Sequence, residues 1–310
     1  MALTEAYILS RLEKRGWRGR ITPAHHIREL KEEIDDLYRK GQIDFEPYEE
    51  YFREFASNPP DEFVNPSSLI VVAMPQHHAE VRFSFDGRQV GVTIPANYLS
   101  WRENRQKVED VVKEIMAPGG YSVLRVYLPL KLLAVRSGLA EYGRNNIAYV
   151  PGMGSFHALQ GFLSDFPSEN DTWHEKKMMQ VCEQCAACRL KCPTGAITQE
   201  RFTLHAGRCI PFHNERSSDV PFPAWLDSSL QDSLVGCMHC QKVCPANKEF
   251  LTHRQIGPSF TDEETAALLR AMTPEELPHS LLSKLKEAGM IDIFDVIRRN
   301  LPPLLDARKG

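Results

Sequence analysis

The sequence predicts an α+β protein: an amino-terminal domain of helices, a hairpin and short strands, then a small module built on cysteines, then a helical tail. Three observations predict it. Apolar residues alternate at strand spacing in some stretches (Val81, Phe83, Phe85; Val90, Val92, Ile94) and recur at helical spacing in others (Leu30, Ile34, Leu37; Val108, Val111, Val112, Ile115). All eight cysteines of the 310-residue chain fall between Cys182 and Cys244. Beyond them, Thr261 with Glu264 and Thr273-Pro274 with Glu276 carry helix-capping signatures, the second with proline at the first helical position.

Taken in order, residues 5 to 56 read as helical, with Gly41 stopping the run that contains Leu30, Ile34 and Leu37. Asn58-Pro59-Pro60 and Asn65-Pro66 break the chain before a continuous apolar strand, Leu69 to Met74, expected to be buried on both faces. The alternation on either side of Asp86-Gly87 predicts a hairpin. A helix follows from Trp101 to Met116, closed by Pro118-Gly119-Gly120, then a strand over Tyr121 to Leu128 and a helix from Leu130 to Arg136. Two further strands are expected at Ile147 to Val150 and Phe156 to Leu163, giving a mostly antiparallel sheet. The tail adds helices over Ser280 to Ala288 and Ile291 to Arg299.

The cysteines specify a chemistry. Cys182, Cys185, Cys188 and Cys192-Pro193 have the spacing by which bacterial-type ferredoxins hold [4Fe–4S] clusters: three close thiolates wrap one cube, and the cysteine before proline turns to the other. A second run, Cys237, Cys240 and Cys244-Pro245, has Leu234 where its first cysteine would stand, and Cys209 is the one thiol left to replace it. The sets are then Cys182, Cys185, Cys188 and Cys244 for one cluster, and Cys192, Cys209, Cys237 and Cys240 for the other. Tetrahedral zinc suits paired Cys-x-x-Cys units, but three cysteines at three-residue intervals with a swapped Cys-Pro suit a cube better. Disulfides belong to oxidising compartments, whereas the start of this chain lacks a basic, apolar and small-residue leader pattern. A reducing cytoplasm is therefore expected.

A formal net charge of −4 with 25% charged residues argues against general affinity for nucleic acid, which needs clustered cations, though a local basic groove stays open. No apolar run reaches the length of a membrane span. The expected organisation is a helical segment over 1–64, a cofactor or substrate domain over 65–178, the two-cluster module over 179–250 and carboxy-terminal helices over 251–310.

Several segments together carry a family resemblance: Gly138-Leu139-Ala140-Glu141-Tyr142-Gly143-Arg144-Asn145, Leu163-Ser164-Asp165-Phe166-Pro167, Pro193-Thr194-Gly195-Ala196-Ile197, Arg208-Cys209-Ile210, and Gly236-Cys237 through Cys244-Pro245-Ala246-Asn247. They resemble the superfamily of epoxyqueuosine reductases and corrinoid reductive dehalogenases over roughly residues 65 to 302. The resemblance implies a nitroreductase-like α/β domain binding base-off cobalamin, with no protein ligand below the cobalt, fed by a two-cluster ferredoxin-like module. The familiar Asp-x-His-x-x-Gly corrinoid motif is absent, the nearest string, Asp171-Thr172-Trp173-His174, having the wrong spacing. A nitroreductase-like fold also accommodates flavin.

One departure from the family stands out. Epoxyqueuosine reductases carry a proton-donating acidic residue where this chain reads Arg125-Val126-Tyr127-Leu128-Pro129, without a carboxylate. Tyr127 is the replacement donor, as a tyrosine is in the dehalogenases, or else a strand residue packing its ring. Arg144 keeps its proton, and so is expected to hold an anionic substrate group or a corrin amide, or else to close a surface turn. Tyr142, Gly143 and Asn145 accompany it as candidate cofactor-binding residues. His77 and His78 are read as a surface loop, and His239, between two ligands, as structural or tuning the cluster. Arg189, Lys191 and Lys242 either offset cluster charge or are solvated.

The first functional reading is a reductase in which two clusters pass single electrons to a corrinoid that reduces a small or tRNA-borne substrate. The clusters themselves would be charged by a low-potential donor such as ferredoxin or flavodoxin. The alternative is an electron-transfer protein without its own reaction, whose clusters reduce a partner's cofactor.

Overall fold

The computed structural model describes residues 3–53, 63 and 66–306. Along the chain come α1 (Glu5–Glu13), β1 (Arg18–Pro23), α2 (His26–Arg39), α3 (Phe45–Tyr51), β2 (Ser68–Pro75), β3 (Ala79–Phe85), β4 (Arg88–Ile94) and α4 (Trp101–Met116). There follow β5 (Val123–Arg125), α5 (Leu130–Arg136), β6 (Glu141–Tyr142), β7 (Ala148–Tyr149) and β8 (His157–Ser164). The cysteine region holds α6 (Ala187–Lys191), α7 (Ile210–Asn214) and α8 (His239–Lys242). The tail consists of β9 (Gln255–Phe260), α9 (Asp262–Arg270), α10 (His279–Glu287) and α11 (Phe294–Asp306). The α+β class is thus as expected. Among the described residues no helix is long and apolar enough to cross a membrane.

The chain divides into two compact units: Met1–Pro75 with Asn104–Ala186 and Ile197–Ala206, and Gln76–Glu103 with Ala187–Ala196 and Gly207–Gly310. The first is built on an antiparallel sheet in the order β1-β2-β8-β5. Its central strand β2 is the continuous apolar run, and both faces are used. Leu69, Val71 and Ala73 pack with Ile27, Leu30 and Ile34 of α2 and Leu132 and Leu133 of α5. Ile70, Val72 and Met74 pack with Ile8 and Leu12 of α1 and Val108 and Val112 of α4. Two-sided burial explains why β2 reads apolar at every position rather than at alternate ones.

The second unit carries the predicted hairpin, β3 with β4, turned by Asp86 (φ 51°) and Gly87 (φ 71°). Positive φ at both turn positions matches the twist of the strands and favours Asp-Gly. β9 adds in parallel to β3, and Val81, Phe83 and Val92 form one core with Leu268, Leu281, Leu285, Ile297 and Leu301 of the tail helices.

Four sequence expectations need correction. The segment expected to be wholly helical contains β1, because Arg18–Pro23 has an edge of β2 to pair with, and tertiary pairing outweighs a weak local preference. Residues 54–56 of that expected helix, with Asn58-Pro59-Pro60 and Asn65, lie outside the described residues. The strand over Tyr121 to Leu128 is paired only at Val123–Arg125, where β8 offers partners. Thr261 and Glu264 form the reciprocal capping box, but Thr273 makes no side-chain cap, and Pro274–Glu276 is a single 3-10 turn whose Glu276 instead accepts from the Met272 amide (2.9 Å). α11 runs past the expected Arg299 through Pro302 and Pro303. Each proline removes one helical hydrogen bond, while the burial of Leu301, Leu304 and Leu305 offsets that cost.

Candidate iron–sulfur site

The first cysteine run starts in the first unit. Cys182 is buried in a 3-10 turn, Gln180–Glu183, whose entry is tied to β6: the Tyr142 amide donates to the Lys177 carbonyl (2.7 Å) and the Met179 amide to the Tyr142 carbonyl (2.9 Å). The segment after β6 then reaches over the turn. The Arg144 amide lies 3.4 Å from Cys182 Sγ, its Nε donates to the Cys185 carbonyl (3.1 Å), and its guanidinium also donates to the Cys182 carbonyl. Sequence reasoning offered Arg144 to a substrate or corrin amide, or to a surface turn. Its cation is instead spent on the backbone that presents Cys182 and Cys185.

The neighbouring candidates are likewise occupied within the chain. Tyr142 is buried, edge-on to Phe202 (5.2 Å), and its phenol is pushed far above its ordinary range by burial and, secondarily, by Glu33. Asn145, 1% exposed, donates to the Tyr149 hydroxyl (3.0 Å) and accepts from the Ile147 amide (3.4 Å). Gly143 makes this turn possible, since a Cβ there would stand 2.5 Å from both Asn145 Oδ1 and the Tyr149 ring. Tyr127 is 63% exposed. Partial burial, and then Glu50, hold its phenol above the ordinary value against the opposing Arg105, so it keeps its proton.

The remaining cysteines lie in the second unit. Cys188 sits on α6 and Cys192 just beyond it, and α6 packs on α8, which carries Cys240. Cys209 caps α7, and Cys244 opens a turn at Pro245 with proline at its first position. Burial pushes the Cys237 thiol far above the ordinary range, and Asp232, Cys240 and Cys209 add to the effect against an opposing His239 amide. A buried thiol beside a carboxylate and further thiols loses its proton readily only in exchange for a metal cation. The donor set therefore fits a cluster, and none of the eight cysteines is in a disulfide.

Several residues that hold this second run left no motif in the sequence. Asp232 Oδ1 accepts from the Met238 amide (3.0 Å) and the Ser233 hydroxyl (2.8 Å), and Oδ2 from Lys242 (2.8 Å). Burial works to raise the Asp232 carboxyl, but Lys242 and the Met238 amide outweigh it and leave it below the usual range. Buried Asn214 exchanges two hydrogen bonds with Gly236 (2.8 and 2.9 Å), and Asn300 of α11 donates to the Asn214 and Leu234 carbonyls (2.8 and 2.9 Å). Gly236 has φ +67°, and a Cβ there would meet the Tyr98 ring at 2.6 Å. Arg299 donates to the carbonyls of His213, Asn214, Arg216, Ser217 and Val220. The only sequence signal for these was their position within a few residues of a cysteine or on an apolar helix.

Of the histidines, His77 is exposed, as the loop reading has it, but His78 is buried, and burial with Lys242 lowers its basicity. His239 donates Nε2–H to the Leu230 carbonyl (3.0 Å), a structural contact. Outside the cysteine region His26, stacked on Trp173, lies between Glu29 (2.6 Å) and Asp171 (3.0 Å), bridging α2 to the segment before the clusters.

Residues 181–247 match the family described as 4Fe-4S double cluster binding domain. In sequence, the chain is 32% identical over 126 residues to an epoxyqueuosine reductase of Atelocyanobacterium thalassa, 41% of this chain and 40% of that relative. The chain thus spans about two fifths of the length of the curated relatives it matches. In structure, it superposes on epoxyqueuosine reductase from Bacillus subtilis with a TM-score of 0.68 at 19% identity, over 98% of this chain and 81% of that one. The chain has the fold of the epoxyqueuosine reductases. A second solved epoxyqueuosine reductase, in complex with a modified tRNA-Tyr stem loop, superposes with a TM-score of 0.66 at 18% identity and the same coverage. The resemblance to the epoxyqueuosine reductases holds in both sequence and fold, with the double-cluster match falling on the cysteine region.

Proposed function

We propose that this chain is an iron–sulfur oxidoreductase. Two [4Fe–4S] clusters, one on Cys182, Cys185, Cys188 and Cys244 and the other on Cys192, Cys209, Cys237 and Cys240, take single electrons from a low-potential donor such as ferredoxin or flavodoxin. They deliver them to an acceptor that reduces a small or tRNA-borne substrate. The observation that carries this reading is the eight-cysteine constellation, with its match to a double-cluster domain inside a chain similar to epoxyqueuosine reductases. Support for a tRNA-borne substrate comes from the relative solved with a tRNA stem loop.

The acceptor implied by the resemblance is a base-off cobalamin, which would supply the two-electron chemistry at its metal. The residues singled out for it do not fit a polar cradle, because Tyr142 is buried against Phe202, Arg144 and Asn145 spend side-chain polar groups within the chain, and Gly143 offers no side chain. The electron path is therefore drawn only as far as the clusters. Epoxyqueuosine itself is not the favoured substrate, since Arg125–Pro129 carries no carboxylate. Tyr127, protonated and accessible, is the proton donor available on that segment.

An absorption spectrum of anaerobically purified protein, before and after adding hydroxocobalamin, tests the proposal. Corrin bands that persist through gel filtration support a corrin acceptor held by other residues of the chain. Clusters without corrin uptake favour the second reading, an electron-transfer protein for a partner's cofactor, which the engagement of Arg144 with the cysteine turn also suits. If the corrin is taken up, Tyr127→Phe should slow substrate reduction by about 10²-fold or more without altering iron content.

A further inference from the structure

The two cysteine turns are braced by side chains of opposite charge, and this bears on where an electron rests. At the first turn the Arg144 guanidinium is bonded to the carbonyls of Cys182 and Cys185, and the Arg144 amide points at Cys182 Sγ (3.4 Å). At the second, a carboxylate oxygen of Asp232, the Cys237 sulfur and a ring nitrogen of His239 lie within 4.8 Å of one another. The Tyr98 hydroxyl, packed against Gly236 beside Cys237, donates to a second carboxylate, Glu215. Lys242 pairs with Asp232, but its side chain is 41% exposed against 14% for the carboxylate, so water screens the cation more than the anion.

Taking up one electron makes a thiolate-ligated cube more negative by one charge. A cation and an N–H aimed at sulfur stabilise that state, and a poorly screened anion destabilises it. We propose that Arg144 and Asp232 are positioning residues that split the potentials of the two clusters. The cluster bound by Cys182 and Cys185 is the more easily reduced, and the one bound by Cys209, Cys237 and Cys240 the less. An electron entering from a one-electron donor then comes to rest on the Arg144 side. This rests on the two-cluster reading, and iron and sulfide analysis separates the two: fewer than eight irons in reconstituted protein defeats that reading, whereas eight irons with coincident midpoints defeats only this inference.

The test is an anaerobic reductive titration of the reconstituted full chain, followed by electron paramagnetic resonance. Two midpoints are expected, and Cys209→Ala should abolish the lower. Arg144→Gln should lower the higher midpoint by at least a tenfold change in the oxidised-to-reduced ratio, about 59 mV for one electron, while Arg144→Lys, which keeps the charge, restores most of it. Asp232→Asn should raise the lower midpoint and leave the other in place. Coincident midpoints in the parent, loss of the higher one in Cys209→Ala, or an unmoved higher midpoint in Arg144→Gln overturns the inference. Should Arg144→Gln fail to take up its cluster, Asp232→Asn decides alone: a raised lower midpoint sustains the inference, and an unmoved one ends it.

Discussion

The turn carrying Cys182 and Cys185 and the turn carrying Cys237 and Cys240 share the Cys-x-x-Cys spacing, yet they are supported differently. The first is tied to β6 through the backbone and braced by the Arg144 side chain, set by the Gly143 turn at the end of β6. The second is held by a distributed set: Asp232, the Asn214–Gly236 exchange, and Asn300 from a helix whose apolar face belongs to the core. Equal spacing along the chain therefore does not mean equal support in space. A turn braced by one bonded side chain should respond sharply to a single change, while a networked turn should yield in parts.

The largest effect expected is from Cys209→Ala. It should remove the cluster also served by Cys192, Cys237 and Cys240 and leave about half the iron, measured by iron analysis. Retention of all eight irons would refute the pairing of ligands and with it the distinction between the turns. Gly143→Ala strikes the first turn alone. Its Cβ would collide with Asn145 and Tyr149, so a loss of about 1–3 kcal/mol is expected in denaturant unfolding, together with faster iron loss to a chelator from one cluster only. Asn300→Ala strikes the network of the second turn and takes its donor from the Leu234 carbonyl, while Arg299 still serves the Asn214 carbonyl. A cost of about 1–3 kcal/mol is expected here too, but with both clusters retained. Equal iron loss from Gly143→Ala and Asn300→Ala would erase the contrast.

The smallest effect sharpens the comparison by acting away from both turns. His157, buried on β8, donates Nε2–H to the Ala148 carbonyl (2.9 Å), and burial holds its pKa below the ordinary 6.5, with that hydrogen bond opposing. A depressed histidine binds its proton more readily in the unfolded chain, so its contribution is intact above pH 6.5 and is lost as the pH falls through and below that value. His157→Gln should flatten the decline in unfolding free energy between pH 6.5 and pH 5 without changing cluster content. An unchanged slope would show that the acid sensitivity lies elsewhere.

Much of the scaffold was legible. The two-faced burial of β2, the Asp86-Gly87 hairpin, the limits of α4 and α5 and the Thr261 capping box follow from periodicity and local turn chemistry. β1 and β9 were not legible, because Arg18–Pro23 and Gln255–Phe260 are ordered by the strands beside them rather than by their own composition. At the site, Arg144 was conspicuous but its pairing with Cys182 and Cys185 was not: they lie 38 and 41 residues further along the chain. Asp232 and Asn300 attracted no notice at all, since an isolated acid and an isolated amide carry no spacing.

By itself, the order of residues determined the inventory of candidate ligands and the kind of group it suits. Close thiolate spacing is a local, covalent constraint, and the Cys-Pro positions mark where each run turns. Only the tertiary structure decided what surrounds those thiolates: a guanidinium bonded to one turn, a partly buried carboxylate beside the other, and Tyr142 and Asn145 turned inward. The physical reason is reach. Ligand spacing is set by a few consecutive backbone torsions, whereas the charge felt by a sulfur depends on side chains brought from distant parts of the chain by the burial of apolar faces that carry no charge themselves.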